Sequence, residues 1–180
     1  MNSPRTAFSV RNARSDEFKQ VGDLLVNVYS KIEGFPTETD QPEYYKLLHN
    51  AGELARNKNT EILIAVNLEG AIGGAVVYIN DMKDYGSGGI ATMEKNACGF
   101  RLLAVNPDYR NKGIGKKLTL ACIEKGKLAG LSEMIIHSTE SMQIAWKMYE
   151  KMGFKRSADL DFMQEKLPVF GFRLRLNKPA

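Results

Sequence analysis

Arg110-Asn111-Lys112-Gly113-Ile114-Gly115 is the part of the chain whose residue types and spacing speak most directly of chemistry. It follows an apolar run, Phe100 to Val105, and opens a basic amphipathic segment that reaches about Ala129. A strand that passes through a glycine-spaced loop into a helix can hold an anion. The glycines let backbone approach it, and the unpaired N–H groups of the first helical turn point at it. Arg110, Lys112, Lys116 and Lys117 add positive charge there. A basic helix start opposes the helix dipole, a conflict that a bound anion would resolve and that bulk solvent would only soften. The spacing is not that of a P-loop, which needs Gly-Lys-Ser/Thr after four intervening residues. Nor is it the dinucleotide fingerprint, whose third glycine is replaced here by Leu118.

A second block, Ala145-Trp146-Lys147-Met148-Tyr149-Glu150-Lys151-Met152-Gly153-Phe154, carries a phenol that could protonate a leaving group. Tyr149 also shares one helical face with Ile144, Ala145, Met148 and Met152, so packing is the competing role.

Together the blocks resemble the GCN5-related N-acetyltransferase (GNAT) family. The first matches its Gln/Arg-x-x-Gly-x-Gly/Ala signature, preceded by Leu103-Ala104-Val105-Asn106-Pro107-Asp108-Tyr109. The second matches its Ala-x-x-Leu-Tyr-Glu-x-x-Gly-Phe pattern. The likeness is strong over residues 98–155 and extends over 6–97 only through the order of elements. It implies acetyl-CoA as cosubstrate, its pyrophosphate held by Arg110, Asn111, Lys112, Gly113, Ile114, Gly115 and Lys116. It implies that the pantetheine arm lies along Leu103-Ala104-Val105, pairing with backbone of Leu103 and Val105. The Val105 N–H would polarise the thioester carbonyl, and Tyr149 would protonate the departing thiolate. A primary amine of a small molecule or peptide would attack directly. A non-catalytic acyl-CoA sensor or partner subunit is the alternative.

Two positions depart from the family pattern. The central-strand glutamate that often serves as base falls on Gly99, eleven residues before Arg110. Glu94, Glu140, His137 or a water chain could replace it, although His137 on a short apolar strand also reads as a packed core residue. A common asparagine near the start of the tyrosine helix is Met142 here. The acceptor would be shaped by the loops Ile32–Tyr45 and Asn80–Asn96. Their Glu33, Glu38, Asp40, Glu43, Asp81 and Asp84 would suit a cationic amine or polyamine, or simply be solvated. Phe35, Tyr44 and Tyr85 could line an apolar pocket or pack.

The elements that must position these residues read as β α α β β β α β α β β. Strands are expected at Phe8–Arg11, Glu61–Val66, Ile72–Ile79, Cys98–Val105, Met134–His137, Phe154–Arg156 and Val169–Leu176. Helices are expected from Ser15, as a cap, through Val28, from Pro42 to Arg56, from Gly113 to Ala129 and from Ser141 to Met152. The apolar face of the third is Ile114, Leu118, Ala121, Cys122 and Leu128, and Gly130 stops it. Asn80 to Asn96 is a long polar loop of the kind that carries function. One β-α-β unit spans 98–137. The expected fold is a mixed α/β domain covering 1–180, with helices on both faces. The resemblance makes the sheet mostly antiparallel, with six to seven strands. Phe170 to Leu176 alternates and could form an exposed edge suited to a homodimer, or an ordinary half-buried strand.

Composition narrows the function classes. The chain has 180 residues, 43% hydrophobic and 26% charged, and a net charge of +4 spread along its length. That charge does not indicate a nucleic-acid partner. Cys98, Cys122, His49 and His137 have no metal-ligand spacing, and the cysteines lie in apolar runs as buried thiols rather than a disulfide framework. No apolar run approaches the roughly 18 residues of a membrane span. Met1 to Arg14 has no secretory h-region, and the cytoplasm is the expected compartment.

Overall fold

The computed structural model describes residues 7–177, so the first six residues of the Met1–Arg14 segment lie outside it. The chain runs β1 (Ser9–Asn12), α1 (Phe18–Tyr29), α2 (Pro42–His49), β2 (Thr60–Val66), β3 (Ile72–Ile79), β4 (Ala97–Val105), α3 (Ile114–Leu128), β5 (Glu133–Ser138), α4 (Gln143–Lys151), β6 (Lys155–Arg156), β7 (Phe162–Gln164) and β8 (Leu167–Arg175). The sheet order is β1-β2-β3-β4-β5-β8-β6, with β7 added to β8. Every pairing is antiparallel except β4 with β5.

Two apolar layers cover the two faces. Along β2, Ile62 and Ile64 pack with Val21, Leu24, Leu25 and Leu48 of α1 and α2, while Leu63 and Ala65 pack with Ile114, Leu118 and Cys122 of α3. Strands covered on both faces are apolar along most of their length, which is why β2 from Ile62 onward and β3 read as continuous runs rather than as alternations. Cys98 and Cys122 are both free and buried. Burial pushes the Cys98 thiol up to about 11, which keeps it protonated and unreactive.

The structure corrects several expectations. The sheet has eight strands rather than six to seven, because β7 and β8 form a hairpin through Glu165. The helix expected over 42–56 ends at His49. Asn50 takes its own side chain back to the Lys46 carbonyl, and 3-10 turns follow over Ala51–Arg56. Ser15 is not the cap. The carboxylate of Glu17 receives the Arg14 N–H and both terminal nitrogens of Arg11. On α3, Ile123 and Gly126 complete the buried face, and Leu128 is exposed. Strand β8 is an inner strand, paired with β5 on one side and with β6 and β7 on the other, so most of Phe170–Leu176 has no open edge.

The 80–96 loop contains two short 3-10 turns, Met82–Asp84 and Ala91–Met93. Arg173 of β8 anchors its end by binding Glu94, Glu133 and Asp159 together. This loop therefore has a fixed course over the sheet.

The Glu17 cluster gives a pH-dependent prediction. Its hydrogen bonds from Arg11 outweigh burial and hold the carboxyl down at about 2, against an ordinary 4.5. A carboxyl depressed in the folded state stabilises fully above its unfolded value, and that stability is lost as pH falls toward the folded one. Urea midpoints should therefore drop between about pH 4.5 and pH 2. Glu17→Gln should be about 1–3 kcal/mol less stable at pH 7 and should show a smaller acid loss.

Candidate active site

Strands β4 and β5 run parallel but pair over three positions alone: Ala97 with Glu133, Cys98 with Met134 and Gly99 with Ile135. Beyond them β4 continues to Val105 and β5 to Ser138 without a partner between them. A bulge in β4 helps to turn it away. Val77 faces Arg101 but Ala75 faces Ala104, so one residue of β3 opposes both Leu102 and Leu103. Leu102 takes φ 57, a left-handed conformation that is costly for a branched side chain. Past the bulge, Asn106 donates its N–H to the Gly73 carbonyl on β3. Strand alternation then turns the N–H and C=O of Ala104 toward β3. Those of Val105 and Leu103 point to the opposite edge, into the split.

The glycine loop lies at the end of that edge. Gly113 adopts φ 74 with nothing within 4 Å of a would-be Cβ, and Asn111 adopts φ 62. The first helical bond is Lys117 N–H to Gly113 C=O. None of the N–H groups from Asn111 to Lys116 donates to a protein acceptor among the described residues. Arg110, Lys112 and Lys116 are exposed around them. Lys117 is not part of this set, because its ammonium donates to the Phe8 carbonyl at 2.8 Å. A row of unpaired donors beside three cations and an open glycine is an arrangement whose chemistry suits an anion.

Tyr149 of α4 is 4% exposed and packs edge-to-face on Phe100, Phe154 and Phe172. Phe100 is the first residue of β4 past the parallel pairing, so the phenol sits at the base of the split. Its hydroxyl makes no hydrogen bond with the described residues, and burial, with Tyr85 next, raises its pKa well above the ordinary value. The side chain is thus both a core residue and an uncommitted, protonated donor.

On the other side of the split is a cavity of ≈ 80 Å³ lined by Tyr29, Tyr44, Tyr85, Arg101, His137, Ser138 and Phe162, among others. Three segments wall it: the α1–α2 loop, the 80–96 loop and the β7–β8 hairpin. Gln164 donates to Gln41 across the hairpin and the α2 start at 2.7 Å. Gly88 lies so close to the Phe162 ring that a Cβ would come within 2.7 Å of it. The hairpin, which sequence patterning missed, thus supplies part of the pocket wall.

Comparison with known proteins fits this architecture. A sequence model of the Acetyltransferase (GNAT) family matches residues 25–154. The chain belongs to the GNAT family. It is 35% identical over 65 residues to mycothiol acetyltransferase of Streptosporangium roseum, a segment covering 36% of this chain and 19% of that protein. The chain spans less than half the length of the curated relatives it matches. Its fold superposes on a GNAT-family acetyltransferase from Staphylococcus aureus Mu50 with a TM-score of 0.72 at 18% identity, covering 95% of this chain and 100% of that one. The Salmonella typhimurium protein yncA, solved with acetyl-CoA, gives 0.67 at 14% identity, covering 97% and 96%.

As a GNAT chain it lacks the strand glutamate for a physical reason. At Gly99 a Cβ would meet the Ile135 carbonyl and, at 2.8 Å, the Tyr85 ring. The Tyr85 hydroxyl contacts His137 Nδ1 at 3.1 Å, and His137 Nε2 contacts the Leu160 carbonyl at 2.9 Å. A carbonyl only accepts, so the neutral ring carries its proton on Nε2 and Nδ1 accepts from Tyr85. Of the replacement bases, His137 lines the cavity, whereas Glu94 is held by Arg173 and Glu140 is exposed outside it. The acidic residues of the loops expected to shape the acceptor do not converge. Asp40 binds Thr37, Asp81 receives the Lys83 N–H and Asp84 accepts from Asn59. Glu43 alone of the six reaches the outer groove. Among the described residues no cluster could hold a metal, and no helix is long and apolar enough to cross a membrane.

Burial lowers the His137 pKa below 6.5. The folded state therefore binds the proton more weakly than the unfolded one, and protonation opposes folding as pH falls below about 6.5. An NMR titration of the ring should give a midpoint under 6.5, with the neutral form protonated at Nε2. A midpoint at or above 6.5 would mean that burial does not govern the ring.

Proposed function

We propose that the protein transfers the acetyl group of acetyl-CoA to a primary amine of a small molecule or peptide, by direct attack. The observation that carries this reading is the row of free N–H groups from Asn111 to Lys116 beside the edge of Leu103 and Val105, which no strand covers and where the Leu103 carbonyl takes only a long, 3.5 Å hydrogen bond from the Tyr29 hydroxyl. The row suits a pyrophosphate, and the edge suits an amide-bearing arm laid along it as an extra strand. Arg110, Lys112 and Lys116 offset the charge of the phosphates. The thioester would then reach the split, where the Val105 N–H donates to its carbonyl oxygen and stabilises the oxyanion.

The amine enters from the aromatic cavity. An ammonium must first lose a proton, and the Tyr85 hydroxyl, already hydrogen-bonded to neutral His137, relays it to Nδ1. The lone pair attacks the thioester carbon, the C–S bond breaks, and Tyr149 gives its proton to the thiolate. The second amine proton returns to Tyr149 through solvent as the amide forms. The balance is one amide, one free thiol and one proton released. No covalent enzyme intermediate is needed, and proximity supplies much of the rate. Burial of Tyr149 fits this role, because a phenol with a raised pKa stays protonated until the thiolate needs it.

Thermal melts with acetyl-CoA, CoA and ATP test the reading. Either CoA species at about a hundred times its dissociation constant should raise Tm by roughly 5–10 °C, and ATP should not. Tyr149→Phe should keep that rise while kcat falls about a hundredfold or more. A Tm rise with no turnover of any amine would instead mark an acyl-CoA sensor.

A further inference from the structure

The cavity beside the split holds a cation with no counter-charge. Arg101 extends from β4 past the parallel pairing and lines both the inner cavity and the outer groove of ≈ 520 Å³ that leads into it. Its guanidinium lies 5.8 Å from the Tyr85 ring centre and donates one N–H to the Tyr85 carbonyl at 3.0 Å. Among the described residues no carboxylate approaches within 4 Å of it and no other acceptor takes its remaining donors. The other groups around it are the neutral phenols of Tyr29, Tyr44 and Tyr85 and the His137 ring, none of which offsets its charge. Burial pushes Tyr44 up to about 12, so it stays neutral.

A second observation concerns the same cavity. Ser138 and Thr139, at the end of β5, line the same cavity at 3% and 4% exposure. Their hydroxyls have no hydrogen-bond partner. A buried hydroxyl without a partner is costly, and these two belong to the same cavity wall set as the unpaired guanidinium. Glu43 and Glu165 also line the outer groove, where both are exposed and neither comes within 4 Å of the guanidinium.

We propose that the acceptor amine carries a carboxylate, and that Arg101 binds it with Ser138 and Thr139 as hydrogen-bond donors. This rests on the acetyl-transfer reading and names its substrate class: a small amino acid with an apolar or aromatic side chain. The guanidinium presents paired donors that match a carboxylate, and the aromatic walls suit the rest of the molecule. The same pocket disfavours polyamines, because a second ammonium would face Arg101.

The test pairs L-leucine with isopentylamine and L-phenylalanine with phenethylamine, with spermidine beside them. Each is titrated calorimetrically into the CoA-saturated protein and assayed for acetyl transfer. The acids should bind and turn over at least tenfold better than their decarboxylated partners. Arg101→Met should reduce that ratio by about 10- to 100-fold, the range for losing a charged hydrogen bond, and Arg101→Lys should retain part of it. The ratio separates recognition from a general disturbance of Tyr85, which would affect both members of a pair alike. Equal or better use of the amines or of spermidine, or a ratio unchanged in Arg101→Met, overturns the proposal and leaves acetyl transfer standing. Carboxylate-dependent binding without turnover supports Arg101 and removes the transfer reading instead.

Discussion

The early end of pairing between β4 and β5 shapes everything at the site. Two parallel neighbours that stay hydrogen-bonded would leave no edge and no gap. Here the ladder stops at Gly99 and Ile135, and the bulge at Leu102 carries β4 outward at the cost of a left-handed leucine. The cost is tolerated because Leu102 is 5% exposed and packed in the layer under α1, so the core over-determines its position. From that single divergence come an unpartnered strand edge, a gap with Tyr149 at its base and a cavity on its far side. The same strand runs on, by way of a short turn over Pro107–Tyr109, into the glycine loop. The split and the glycine loop are thus joined by one short stretch of chain, which limits the distance between them.

Gly99 shows how one small residue redistributes chemistry. Without a side chain there, β4 and β5 can approach and the Tyr85 ring can lie against the strand. Tyr85 in turn brings its hydroxyl to His137, and Arg101 closes over the same ring through the Tyr85 carbonyl. A glutamate at position 99 would displace this whole arrangement. Its absence is therefore not a simple loss of a base, because the space it would occupy already holds a phenol–imidazole pair. The 80–96 loop that supplies Tyr85 is in turn tied down through Glu94 to Arg173 on β8. An ion network some distance from the cavity thereby holds a cavity wall.

Much of this was legible in the sequence because local patterns set it. The apolar runs of β2, β3 and β4, the glycine stop of α3 and the Gly113–Gly115 loop each depend on residues close in the chain. What was not legible depends on contacts between distant segments. Strand β7 has three residues and a Glu165–Lys166 turn with no glycine or asparagine, so no turn chemistry marks it. The break after His49 comes from Asn50 folding back on Lys46, which competes with helix only once α2 packs on α1. There a Cβ on Gly22 would strike the His49 carbonyl. The acidic residues of the 32–45 and 80–96 loops left a cation site and a solvated surface both open, because sequence counts charges without their partners. The fold spends Asp40, Asp81 and Asp84 on local hydrogen bonds and leaves Arg101, unremarkable in the sequence, with none but a carbonyl.

Charge placement then accounts for the direction of approach. Positive potential stands at both ends of the split: Arg110, Lys112 and Lys116 around free N–H groups at one end, Arg101 inside the aromatic cavity at the other. Inside the cavity the walls are largely aromatic, so a charge beside Arg101 is weakly screened, whereas the exposed cations at the glycine loop act through solvent. A polyanion fits the open, solvated cradle, where several cations and backbone donors share its charge. A single small anion fits the narrow cavity, where one planar guanidinium and two unpaired hydroxyls await it. On the proposed reading, an amine joined to that anion would lie next to the Tyr85–His137 pair, which would take its proton, while Tyr149 would give one to the thiolate.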